Sequence, residues 1–185
     1  RLAANTSNTF TSGATVNMTI SGNSGYDFSV TSGQIVMGRR TGVNTAGVTS
    51  TLNINGGSLT MTGDIVAGVQ TSGTGMSRTL NLNGGTLDMG GNSFGTQGTA
   101  YITLNFLSGT LRNVANINGG ADFVKSGAGT LVLAGTNNFA APTRSGSGTL
   151  VIGSEFALQN SPLNMDAADS GAVAFTQAST LGGLY

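Results

Sequence analysis

Histidine, cysteine and tryptophan are absent from the 185 residues, and only 2 are proline. Without histidine there is no Ser-His-Asp triad, no Cys-His pair and no histidine metal site. Without cysteine there is no disulfide, so stability must come from another source, such as backbone ladders stacked from repeat to repeat. Charge is also scarce. Charged residues make up 8%, against about 25% in an ordinary globular protein, and seven basic residues cancel seven acidic ones. A neutral chain is a poor partner for nucleic acid or an anionic membrane, which require Lys and Arg in numbers. Arg39-Arg40, the one adjacent basic pair, reads as a solvated loop feature. No run approaches the ~18 apolar residues of a membrane helix, so membrane insertion by this segment is not expected. No Walker or Rossmann glycine pattern occurs.

Glycine is abundant, at 31 residues, and apolar residues make up 38%. Both recur regularly. Thr51-Leu52-Asn53-Ile54-Asn55-Gly56-Gly57-Ser58-Leu59-Thr60-Met61 returns as Thr79-Leu80-Asn81-Leu82-Asn83-Gly84-Gly85-Thr86-Leu87-Asp88-Met89. A weaker copy follows over Thr103 to Leu111. The second half of the unit then continues alone as Gly129-Thr130-Leu131-Val132-Leu133 and Gly148-Thr149-Leu150-Val151-Ile152, with Gly171 to Phe175 a looser version. Aligned on glycines 57, 85, 109, 129, 148 and 171, the spacings are 28, 24, 20, 19 and 23. Ile35-Val36-Met37-Gly38 and Ile65-Val66-Ala67-Gly68 supply a further element ahead of the first two copies.

Within each element apolar and polar residues alternate, as in a half-buried strand. The joints are Gly-Gly or Asn-Gly, which supply the positive φ of a sharp corner. Asn-Gly also signals a hairpin, but hairpins give no reason for near-identical units to recur at such spacings. The pattern predicts an all-β fold, a right-handed parallel β-helix with about three short strands per turn and six to eight rungs. Leu52 should then stack with Leu80 and Leu104, and Leu59 with Leu87 and Leu111. Asn53, Asn81 and Asn105 should align, as should Asn55 and Asn83, either in an amide ladder or merely because Asn tolerates the corner. The variable segments 39–50, 69–78 and 90–101 read as loops bulging from the coil. Residues 1–185 form one solenoid, with less regular rungs over 1–33, long-period repeats over 34–120 and a different repeat type over 121–185.

That last stretch carries a resemblance. Lys125-Ser126-Gly127-Ala128-Gly129-Thr130-Leu131-Val132-Leu133-Ala134-Gly135-Thr136-Asn137-Asn138-Phe139 resembles the autotransporter-associated β-strand repeat, also called the passenger-associated transport repeat. Gly146 to Gly153 and Gln177 to Leu184 look like further strands of that family. The resemblance implies a right-handed β-helical passenger exported by a Gram-negative bacterium, and an absence of cysteine suits such export. The outer-membrane barrel that carries such passengers is not among these residues. The chain opens at Arg1 without an initiator Met or a signal peptide, as expected of a processed product or a piece of something longer.

Candidates for chemistry are few. The acids are Asp27, Asp64, Asp88, Asp122, Glu155, Asp166 and Asp169, and a glycoside hydrolase needs two of them facing at ~5 to 9 Å. Asp64 and Asp88 occupy different parts of their repeats. Asp166 and Asp169 fall in a loop-like segment, and Asp122 with Lys125 reads as an ion pair. Gly119-Gly120-Ala121-Asp122 is similar to the start of a calcium-binding nonapeptide but lacks the tandem copies. The aromatics, Phe106 and Phe175 among them, mostly fall on inward positions, whereas Tyr26 and Tyr101 are candidates for exposure. No catalytic, cofactor or metal residue emerges. The expectation is a non-catalytic extracellular or cell-surface stalk, fibre or adhesive module. Its partners would be copies of itself stacked head to tail, or a surface glycan or host matrix ligand. The alternatives are a polysaccharide-active enzyme and a glycan-binding module on the same scaffold.

Overall fold

The computed structural model describes residues 15–21, 29–38, 48–68, 75–95 and 101–185. They form fifteen strands of one sheet, and every pairing is parallel. In chain order these are β1 (Thr15–Ile20), β2 (Ser29–Ser32), β3 (Ile35–Met37), β4 (Val48–Ile54), β5 (Ser58–Met61), β6 (Ile65–Ala67), β7 (Met76–Phe94) and β8 (Thr103–Ile117). There follow β9 (Phe123–Lys125), β10 (Thr130–Ala134), β11 (Thr143–Ser145), β12 (Thr149–Ile152), β13 (Leu158–Leu163), β14 (Ala172–Phe175) and β15 (Leu181–Leu184). No helix occurs among the described residues. The fold is a β-solenoid.

Three faces wind around one core. The first stacks β1, β4, the openings of β7 and β8, then β9, β11, β13 and β15. The second stacks β2, β5, the middles of β7 and β8, then β10, β12 and β14. The third joins β3, β6 and the ends of β7 and β8. Eight strands on the first face, at about 4.8 Å per step, make a rod roughly 34 Å long. β7 and β8 each run unbroken through two corners instead of forming three short strands. Parts of the expected loops, 48–50, 76–78 and 90–94, are therefore paired strand. Residues 75, 95 and 101 are described but outside strands, while 39–47, 69–74 and 96–100 lie outside the described residues, as do Arg39, Arg40 and Tyr26.

The alternating pattern sets the core. Leu52, Leu80 and Leu104 stack in register, as do Leu59, Leu87 and Leu111. The second column continues through Leu133 and Ile152, and Leu59 to Ile152 are 0% exposed throughout. Burying each such side chain contributes about 1.5–3 kcal/mol. Some corners leave no room for a side chain. At Gly85, with φ +66°, a Cβ would lie 2.6 Å from the carbonyl oxygen of Gly57 in the turn below.

One expected alignment is wrong. Gly109 faces Leu131, and Leu111 faces Leu133, so the Gly-Thr-Leu units of 109–111 and 129–131 are offset by two positions. A shift of two keeps every side chain on its proper face. On the first face, meanwhile, Phe106 faces Lys125. The corner between the two faces is therefore enlarged in the later turn, where residues 126–129 occupy it. From there the register is regular, with Thr130 on Thr149 and Thr149 on Ala172.

Candidate functional site

The described acids are occupied in holding turns together or lie exposed. Asp64 accepts a hydrogen bond from the backbone N–H of Ser93 at 2.8 Å. Asp88 accepts from the Gly90 N–H, the Asn113 amide and Arg112 Nε at 3.0, 2.8 and 2.9 Å. Burial pushes the Asp88 carboxyl up, but these donors outweigh it and leave the group below the usual carboxylate range. Asp122 and Glu155 are exposed, and Asp27 lies outside the described residues.

Arg144 gathers the remaining two acids. Its Nε and Nη2 donate to the two carboxylate oxygens of Asp169 at 3.0 and 2.7 Å, and Nη2 lies 3.4 Å from Asp166. A small cleft of about 60 Å³ adjoins them, lined by Ser145, Asn164, Met165, Asp166, Asp169, Gly171 and Val173. That volume suits a few waters rather than a sugar ring, since ligand pockets run to about 300–1,000 Å³. The Arg144 hydrogen bonds hold the Asp169 carboxyl below its ordinary value, opposite to the raised value that a general acid requires. No group of three or more metal-ligating side chains occurs among the described residues.

The expected Asp122–Lys125 ion pair does not form. Lys125 is 0% exposed and points into the coil. Its Nζ donates to the carbonyl oxygens of Ser126, Gly127 and Ser147 at 2.7, 2.7 and 3.0 Å. All three ammonium donors are thereby used, inside the enlarged corner. Burial pushes its pKa down. Arg78 is a second internal cation, 8% exposed. It donates to the carbonyls of Met37, Gly38 and Gly68, tying together three successive turns. Burial lowers its pKa as well. Asn137, 1% exposed, accepts from the Val114 N–H and donates to the Ala134 and Ala157 carbonyls. The short Gly135-Thr136-Asn137-Asn138-Phe139 string was the only sequence sign of this clamp.

The asparagine ladder does form. Asn105 Nδ2 donates to Asn81 Oδ1 and Asn81 Nδ2 to Asn53 Oδ1, each at 2.7 Å. Asn55 and Asn83 share the 28-residue offset that places Ile54 on Leu82 and Ser58 on Thr86, and Asn83 in turn faces Ser108 of the following turn. Inside the coil, Phe94, Phe106, Phe123 and Phe139 form a continuous run with ring centroids 5.9, 4.9 and 5.7 Å apart. Nothing in the repeat marked this stack, because the rings come from different elements of successive turns. Phe106 is buried as expected, but Phe175 is 47% exposed. It does top the Leu59-to-Ile152 column, yet among the described residues no strand pairs with the far edges of β14 and β15. Tyr101, at 57%, and Phe156, at 43%, are also exposed.

Comparison with protein-family models, with curated proteins and with solved structures finds no match.

Proposed function

We propose that this chain is a non-catalytic structural or adhesive β-solenoid of the bacterial cell surface, a stalk or fibre module of a passenger-type protein. The observation that carries this reading is the use of its polar chemistry. Arg78, Asp64, Asp88, Lys125, Asn137 and Asp169 are each engaged in bonds within and between turns, which supports a structural use of these groups. The repeat resemblance over Lys125 to Phe139 supplies the bacterial surface, and Asn137, its signature polar residue, is the side chain that clamps three turns. Self-association by head-to-tail stacking is one partner class, in keeping with the parallel ladder that each turn offers to the next. A glycan or matrix ligand is the second partner class, favoured by the exposed rings of Tyr101 and Phe156.

Antibodies raised against the folded chain should label intact cells that express the parent gene. Labelling only after permeabilisation would overturn the surface location. Incubation with a polysaccharide panel should release no new chain ends. Turnover that disappears in a folded D166N/D169N variant would establish the rival enzyme.

A further inference from the structure

The same dipeptide, Asn-Gly, occurs in three different settings, at Asn55-Gly56, Asn83-Gly84 and Asn118-Gly119. Asn118 is held by both ends of its carboxamide. Its Oδ1 accepts from the Ile102 N–H at 3.2 Å, and its Nδ2 donates to the Ile102 carbonyl at 2.8 Å. Asn83 is exposed but lies inside the unbroken strand β7, where Leu82 pairs with Ile54 and Phe106, and Asn83 itself faces Ser108. Asn55 is exposed and sits with Gly56 between β4 and β5, outside any strand.

An asparagine followed by glycine is open to attack by its own backbone, because glycine has no Cβ to shield its nitrogen. At Asn55 the Gly56 nitrogen, once deprotonated, bonds to Cγ and closes a five-membered succinimide. The carboxamide nitrogen leaves as ammonia and carries away the proton. Water then adds to one of the two ring carbonyls and breaks its bond to the nitrogen, with no change of oxidation state. Cleavage at Cγ leaves aspartate. Cleavage at the main-chain carbonyl leaves isoaspartate, with one extra methylene in the backbone. Ring closure needs a carboxamide free to turn and a backbone free to follow. Of the three steps, Asn55-Gly56 is the one whose asparagine is exposed and whose backbone lies outside a strand.

We propose that Asn55-Gly56 is a site of spontaneous modification, turning to isoaspartate in the folded chain and loosening the turn above it. The corner has no slack for the added methylene. A Cβ on Gly84 would lie 2.7 Å from the Asn55 carbonyl oxygen, and one on Gly85 would lie 2.6 Å from that of Gly57. The backbone of one turn thus rests directly on that of the next. A longer main chain at Asn55 must push Gly84 away.

The test is ageing of the purified chain in warm, mildly alkaline buffer, once folded and once in urea. Cleavage after arginine and lysine places the three steps in separate peptides, 41–78, 79–112 and 113–125. Mass spectrometry with separation of the isoaspartyl forms then reads each. In the folded chain Asn55 should convert ahead of Asn83, and Asn118 should be slower on the order of tenfold, the effect of opening two hydrogen bonds. In urea the three rates should converge. No conversion at Asn55 in the folded chain overturns the proposal, as does Asn118 keeping pace with it. The aged chain should also unfold at a lower urea midpoint than the fresh chain. N55S aged alike, and fresh N55D, which adds the charge without the methylene, should each keep their midpoint. An equal drop in either variant overturns the loosening.

Discussion

Lys125 is the most consequential single residue. A lysine is rarely buried without a carboxylate, because removing a charge from water is costly unless hydrogen bonds replace the hydration. Here three carbonyls do so. Lys125→Met keeps the stem and removes the donors, leaving buried acceptors unsatisfied. It should destabilise the chain by about 2–3 kcal/mol, read from urea midpoints at unchanged slope. Arg144 governs a second, pH-dependent effect. Asp169 has a folded pKa below its unfolded value, so its contribution is fully present above the ordinary carboxylate pKa near ~4. It is lost as pH falls through the depressed value. Acid titration of stability should therefore steepen below about pH 4, and Arg144→Gln should flatten that limb. An unchanged acid limb in the variant would show that Asp169 is not held by Arg144.

At the scale of the element, much of the coil was legible. Leu52, Leu59 and Asn53 each sit in a string repeated almost letter for letter, so strand type, parallel stacking and the alignment of the asparagines follow from spacing, whereas the amide bonds between them did not. The offset at Gly109 was not legible, because Leu131 and Leu133 satisfy the inward pattern equally well. What selects Leu133 is the wider corner filled by the Lys125 ammonium, a contact with no periodic signature. The phenylalanine run was hidden for a similar reason, since Phe106 and Phe123 come from the first face but Phe94 from the third. Phe123 sits between two rings at 4.9 and 5.7 Å. Phe123→Ala should cost about 3–5 kcal/mol, more than truncation of the exposed Phe156, which should be near neutral by the same denaturation assay.

The described strands form a one-dimensional stack in which strand pairing joins each turn to its neighbours, with the Arg78 clamp reaching one turn further, so stability is close to a sum of turn and interface contributions. Turns in the middle have two interfaces and the last has one. Hydrogen exchange should be slowest in β7 and β8 and fastest in β14 and β15. Uniform protection along the rod would mean that the stack opens only as a whole.

The register also defines a ruler. On the second face, Ala174 rests on Val151, Val151 on Val132, Val132 on Thr110, Thr110 on Thr86 and Thr86 on Ser58. The differences in residue number down this column are 23, 19, 22, 24 and 28. Drawn out from its C-terminal end under tension, the chain would lengthen in a staircase, one turn at a time. Each tread would add about 65 to 95 Å at ~3.4 Å per residue. The uneven step heights would spell the repeat spacings backwards, so a force trace could read the register of the coil directly from a single molecule.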